Sequence, residues 1–214
     1  MSNAPSLCHS RRAWLAGAAA LAAWPALAKT LPVLTILGDS ITAGYGLPAA
    51  SALPARLQAA LARIGAPATV RGAGVSGDTT ADALARVDFS VQSDTSLCLV
   101  ALGGNDLLQG LDPKTTRSNL ERIVRRLKSR RIGVILAGMT APRAIGADYA
   151  RDFDAVFAAV ARSEGVALYA DLLAGVARVP ALNQADGIHP NPAGVNIIAG
   201  RLAPLVARSL KRSR

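Results

Sequence analysis

Residues 31–46 read LPVLTILGDSITAGYG. The run LPVLTILG (31–38) is short, apolar and closes at a glycine, the pattern of a strand buried on both faces of a parallel sheet. Asp39 and Ser40 follow it directly, so the first polar pair stands where the strand leaves the sheet. Four further runs share the pattern: ATVRGAG (68–74), SLCLVALGG (96–104), IGVILAG (132–138) and GVALYAD (165–171). Between them lie stretches with helical spacing. In 116–130, Leu120, Ile123, Val124 and Leu127 recur at helical steps, with Arg122, Arg125, Arg126 and Lys128 on the other faces. Residues 49–64, 79–88 and 149–163 are Ala-rich and carry Leu, Val or Phe at similar steps. A last helix is expected to start near Asn191-Pro192, a capping Asn followed by Pro in the first turn, and Pro204 is expected to kink or end it. Five strands alternating with helices predict an α/β sandwich built on a parallel sheet. In such sheets ligands sit beyond the carboxyl ends of the strands, near a topological switch point.

The composition agrees with a single folded domain. The chain has 214 residues, 51% hydrophobic, 4% aromatic and 18% charged, with two cysteines and a formal charge of +10. These values exclude a disordered chain, a collagen-like repeat and a disulfide scaffold. Residues 13–28, AWLAGAAALAAWPALA, carry no charge, follow Arg11-Arg12 and end in Ala26-Leu27-Ala28. A basic start, a short apolar run and a small-x-small ending predict a secretory signal peptide over residues 1–28. The run SRRAWL resembles a twin-arginine signal, with Trp14 where such signals often carry Phe. Cleavage after Ala28 would leave a domain of 186 residues, 29–214, with a charge of +8, one cysteine (Cys98) and one histidine (His189). Such a chain is expected to be exported, to the periplasm in a cell with an outer membrane. One cysteine forms no internal disulfide, and any imidazole chemistry must happen at His189.

Four segments stand at strand ends or before the last helix. Gly38-Asp39-Ser40-Ile41-Thr42-Ala43-Gly44 can present a serine hydroxyl at the sheet edge, or Asp39 or Ser40 can simply cap a helix. It is not the GxSxG elbow. Gly72-Ala73-Gly74-Val75-Ser76-Gly77 formally matches GxGxxG. It follows the second strand, however, and lacks the ribose-binding acid that a dinucleotide site requires. Gly103-Gly104-Asn105-Asp106 offers a close backbone approach and an amide donor suited to an oxyanion, or it is a turn. In Asp186-Gly187-Ile188-His189, a carboxylate three residues before an imidazole can hold one ring nitrogen and leave the other for a nucleophile. The plainer reading is an exposed loop histidine. A zinc shell is not available, because no second histidine remains.

In this order and spacing, GDSITAGYG, GVSGDTT, GGND and DGIHPN resemble the four blocks of the SGNH hydrolase (GDSL) superfamily. The likeness covers nearly all of the mature chain and lies nearest the exported bacterial arylesterase, acyl thioesterase and lysophospholipase branch. It implies a flavodoxin-like three-layer sandwich, a five-stranded parallel sheet with helices on both faces. It also implies Ser40 as nucleophile, His189 as general base and Asp186 as the carboxylate that orients His189. The implied oxyanion hole is the Ser40 N–H, the Gly77 N–H and the Asn105 side-chain amide, with no metal or cofactor. The implied substrate is a small acyl ester or lipid. The loop Asp106–Leu111 and the stretch Pro142–Tyr149 are expected to shape acyl-chain preference. An imidazole base predicts activity that rises through about pH 6–7.

Other residues carry weaker signals. Cys98, mid-strand among Leu97, Leu99 and Val100, reads as a small buried hydrophobe rather than a nucleophile. Asp78 and Asp106 are assigned to holding loops, and Tyr45 and Leu47 either to an acyl pocket or to packing. The basic run Arg122–Arg131 and the residues Arg208, Lys211, Arg212 and Arg214 raise a rival, a module binding nucleic acid or an anionic surface. Only three Tyr and three Phe remain after residue 28, too few for a base-stacking platform, so no nucleic-acid partner is expected. Weak attraction to anionic lipid headgroups is compatible with a lipid esterase. A polysaccharide O-deacetylase with the same triad is the second enzyme alternative.

Overall fold

Strand β1 (Val33–Gly38) is an interior strand of the sheet, and Leu34, Ile36 and Leu37 are wholly buried. Burying each such side chain contributes about 1.5–3 kcal/mol. The strand pairs in parallel with β2 (Thr69–Gly74) on one side and β3 (Thr95–Ala101) on the other. β4 (Gly133–Ala137) and β5 (Ala167–Tyr169) complete an all-parallel, five-stranded sheet of order β2-β1-β3-β4-β5. The order reverses at β1, which places a switch point between β1 and β3. The computed structural model describes residues 1–2 and 30–212, so the predicted targeting segment lies outside the described residues except for its first two. Leu31–Arg214 forms one compact unit.

The helices are α1 (Ser40–Ala43), α2 (Leu53–Arg63), α3 (Thr80–Ser90), α4 (Gly104–Leu108), α5 (Pro113–Ser129), α6 (Ala147–Glu164) and α7 (Pro192–Arg212). α2 packs on α7, while α5 packs on both α3 and α6. Right-handed crossovers running in opposite directions from β1 put these two groups on opposite faces of the sheet, giving three layers. Leu120, Ile123, Val124 and Leu127 of α5 are wholly buried, as their helical spacing predicts. Phe153 and Phe157 of α6 meet edge to face, ring centroids 5.5 Å apart, inside the same core.

Several boundaries differ from the sequence reading. The stretch 49–64 is a short 3-10 turn, Ala49–Ser51, followed by α2, because Pro54 has no N–H to give and fits only the first turn of a helix. β3 ends at Ala101 rather than at 104, and Gly104–Leu108 forms α4, with Gly103 before it at φ 114°. β5 keeps only three residues, an edge strand paired to Ile135–Ala137 alone. Pro204 does not end α7, which runs on to Arg212. Gly200, whose carbonyl loses its helical donor, and Pro204 are both exposed, so water can take the freed carbonyl.

The basic run on α5 is largely paired within the molecule. Arg125 bonds Glu164 at 2.8 Å, Arg126 bonds Asp88 at 2.5 Å, and Lys128 donates to the Glu164 carbonyl.

Candidate active site

The polar residues collect at the carboxyl edge of the sheet. Asp39 caps α1, its Oδ1 accepting from Ile41 N at 3.0 Å, and Gly44 closes the helix at φ 77° by donating its N–H to the Ser40 carbonyl. This single turn sets Ser40 at the sheet edge. β2 passes unusually close beneath it. A Cβ on Gly74 would lie 2.4 Å from Ala43 N and 2.6 Å from the Asp39 carbonyl, and one on Gly72 would lie 2.9 Å from Pro54. Gly72 and Gly74 therefore serve the packing of β2 on α1 and α2, whereas a Cβ on Gly77 would meet nothing within 4 Å.

Ser40 and His189 are 149 residues apart in sequence, yet His189 Nε2 lies 2.9 Å from Ser40 Oγ. On its other side, His189 Nδ1 lies 2.7 Å from Asp186 Oδ2. Asp186 Oδ1 accepts from Ile188 N at 2.9 Å and His189 N at 3.0 Å, a tight turn with Gly187 at φ 72°. The His189 backbone N–H, the His189 ring and the Ile188 N–H hold the Asp186 carboxyl down at about 2. An ionised carboxylate only accepts, so Nδ1 carries the ring hydrogen and Nε2 presents its lone pair to the Ser40 hydroxyl. The His189 ring lies beside Tyr45, centroids 4.6 Å apart. Gln184, which the sequence reading missed, ties the two loops together. Its side chain donates to the Tyr45 and Pro190 carbonyls at 2.8 and 3.1 Å, and its N–H donates to the His189 carbonyl at 2.8 Å. Asn191 Oδ1 accepts from Ala193 N and Gly194 N, the cap predicted for the last helix.

The three predicted oxyanion donors line one cleft with Ser40 and His189. Among the described residues, neither the Ser40 nor the Gly77 N–H has a protein acceptor. Asn105 Nδ2 gives one hydrogen to the Asp78 carbonyl at 2.9 Å and keeps the other. Asp106 is wholly buried and acts in packing. It accepts from Thr80 N at 2.8 Å, Thr80 Oγ1 at 2.5 Å and Thr116 Oγ1 at 3.1 Å, fastening α4 to α3 and α5. Asp78 pairs with Arg86 at 2.6 Å.

The cleft holds about 450 Å³, a size typical of small-molecule sites. Its walls include Ile41, Tyr45, Leu107, Leu108, Met139, Leu173 and Ile188, with the Arg178 cation among them. Tyr45 lines it, whereas Leu47 packs against the hydrophobic core. The two loops expected to shape the cleft supply Leu107, Leu108 and Pro142, and Tyr149 joins them by donating to the Leu111 carbonyl at 2.8 Å. Two buried acids behave differently from Asp186. Burial pushes the Asp39 carboxyl up to about 6, and the wholly buried Cys98 thiol up to about 12. Among the described residues, no group of three or more His, Cys, Asp or Glu could hold a metal ion.

A profile of the GDSL-like Lipase/Acylhydrolase family matches residues 36–197, which include all four segments. The chain belongs to this family. It is 38% identical over 158 residues to the protein named Esterase TesA of Pseudomonas aeruginosa, covering 73% of this chain and 79% of that one. It is 34% identical over 184 residues to Thioesterase 1/protease 1/lysophospholipase L1 of Escherichia coli K12, covering 84% and 87%. The crystal structure of AlinE4, described as an SGNH-hydrolase family esterase, superposes with a TM-score of 0.70 at 42% identity, covering 84% of this chain and 97% of that one. The five-stranded parallel α/β fold found here thus matches that of an SGNH-hydrolase family structure.

Proposed function

We propose that this protein is a serine esterase that cleaves acyl esters, including aryl esters and lysophospholipids, and acyl thioesters through Ser40, His189 and Asp186. The observation that carries the reading is the unbroken relay that reaches an apolar cleft through Ser40 and His189, Asp186 to His189 at 2.7 Å and His189 to Ser40 at 2.9 Å. Serine is a poor nucleophile as a neutral hydroxyl and needs a base in contact. Nε2 takes the Ser40 proton as Oγ bonds to the carbonyl carbon, and the carbonyl electron pair moves onto oxygen. The Ser40 N–H, the Gly77 N–H and the free Asn105 hydrogen meet that oxyanion, where loss of one such donor costs about 3–4 kcal/mol. The imidazolium then gives its proton to the leaving oxygen or sulfur as the bond to carbon breaks. Water attacks the acyl-Ser40 ester with His189 again as base, releasing the carboxylic acid and restoring the serine. Asp186 stays ionised throughout and steadies the imidazolium.

The apolar walls favour an apolar acyl or aryl group, and the names of the relatives support both ester and thioester substrates. Export is part of the same proposal: residues 1–28 act as a signal, removed after Ala28, and the enzyme works in the periplasm of a cell with an outer membrane or is secreted from a cell without one. Hydrolysis of p-nitrophenyl acetate through octanoate by wild type and Ser40→Ala tests the chemistry. Loss of about a millionfold in turnover is expected, and equal rates in the two proteins would reject the serine mechanism. N-terminal sequencing of enzyme released from the periplasm tests the cleavage, with Lys29 expected as the first residue.

A further inference from the structure

The three oxyanion donors come from three chain segments: Ser40 follows β1, Gly77 follows β2 and Asn105 follows β3. Backbone N–H groups cannot adjust their own positions, so something must hold the segments in register. Arg86, on α3 and outside the cleft lining, touches two of the three directly. Its Nη2 donates to the Gly38 carbonyl at 2.9 Å, two residues before Ser40. Its Nη1 donates to the Ala73 carbonyl at 3.0 Å, at the end of β2, and to Ser90 Oγ at 3.0 Å. Its Nε donates to Asp78 Oδ2 at 2.6 Å, the residue after Gly77. The third segment is reached through Asp78, whose backbone carbonyl accepts from Asn105 Nδ2 at 2.9 Å. The Gly38 carbonyl also accepts from Val75 N at 3.1 Å, which closes the link between the ends of β1 and β2.

We propose that Arg86 is a positioning residue for the oxyanion hole, its guanidinium setting the spacing of the Ser40, Gly77 and Asn105 donors by clamping Gly38, Ala73 and Asp78 together. This inference rests on the reading of those three groups as oxyanion donors. A planar fork with five hydrogens can serve several fixed acceptors at once, which a lysine ammonium cannot do in the same geometry. The Arg86 and Asp78 side chains keep only 20% and 11% of their exposure, so the pair is shielded from competing water.

The test compares Arg86→Lys, Arg86→Gln and Ser90→Ala with wild type and Ser40→Ala. Three quantities are read: kcat and KM on p-nitrophenyl butyrate, affinity for phenylboronic acid, which forms a tetrahedral adduct on serine, and Tm. Both Arg86 variants are expected to lose about tenfold to hundredfold in kcat with KM changed less than about twofold, because misplaced donors fail only in the transition state. Boronate affinity should fall by the same factor. Ser90→Ala removes the one contact unrelated to the donors and should keep wild-type kcat. A merely structural arginine would lower Tm and leave kcat and boronate affinity alone, and that result in Arg86→Lys overturns the proposal. So does a loss confined to KM. Should Arg86→Gln not fold, Arg86→Lys and Asp78→Asn decide the matter on the same readouts. An active Ser40→Ala removes the oxyanion reading itself, whereas an inactive Ser40→Ala beside a fully active Arg86→Lys removes only the clamp.

Discussion

Asp39→Asn should make the protein more stable, and only at neutral pH. The Asp39 carboxyl is 2% exposed, and burial pushes it from its ordinary 3.8 up to about 6. Between these two values the unfolded chain has released its proton while the folded chain still holds it. The unfolded state then binds fewer protons, so stability falls as pH rises. Stability is full below about pH 3.8 and has lost about 3 kcal/mol once pH has passed about 6. Asparagine keeps an oxygen to accept from Ile41 N, the cap bond that aspartate makes at 3.0 Å, and has no charge to desolvate. Urea unfolding of both proteins across about pH 3.5–7.5 isolates this group, because other titrations cancel in the difference. The advantage of the variant should grow by about 3 kcal/mol over that range, or about 1.5 M in midpoint for a slope of about 2 kcal/mol/M. A difference that stays flat with pH, or grows in the opposite direction, would refute the argument that burial costs an ionised Asp39 more than its hydrogen bonds return.

Asp186→Asn removes the acceptor that keeps the hydrogen on Nδ1, so Nε2 becomes a donor and cannot take the Ser40 proton. Turnover should fall about ten-thousandfold with KM little changed, measured on p-nitrophenyl esters. Because the wild-type carboxyl is held at about 2, the wild-type pH–rate profile should show a single acid limb, that of the His189 base, between about pH 4 and 9, and a second acid limb in that range would contradict this. Cys98, buried with its thiol pushed up to about 12, should resist a thiol reagent in the folded protein and react on adding denaturant, in a Cys8→Ser background. Fast native labelling would show that the strand opens.

Much of the fold was legible because its signals are local. Leu34, Ile36, Leu97 and Leu99 announce strands by unbroken apolarity, and the sheet does bury them. Misread boundaries share a cause, which is that neighbours decide where an element stops. β5 is short because only three of its residues find partners on β4, and no run of residues 165–171 reveals that. Pro204 signals a helix end, yet the helix survives because the lost bond falls on the solvent face. The glycines at 72 and 74 look like a phosphate loop in sequence, and in space they make room for α1 and α2.

The sequence by itself determined the alternation of strand and helix, the serine at the first strand end, and the Asp186–His189 pair. That pair lies three residues apart, a separation over which one turn dictates geometry. The tertiary structure alone decided that His189 meets Ser40 across 149 residues, that Gln184 reaches Tyr45 across 139, and that Arg86 gathers Gly38, Ala73 and Asp78. These contacts depend on strand order and helix placement, which follow from how all the apolar faces are buried at once. Periodicity along one segment reports which face is apolar, and carries no record of what covers it.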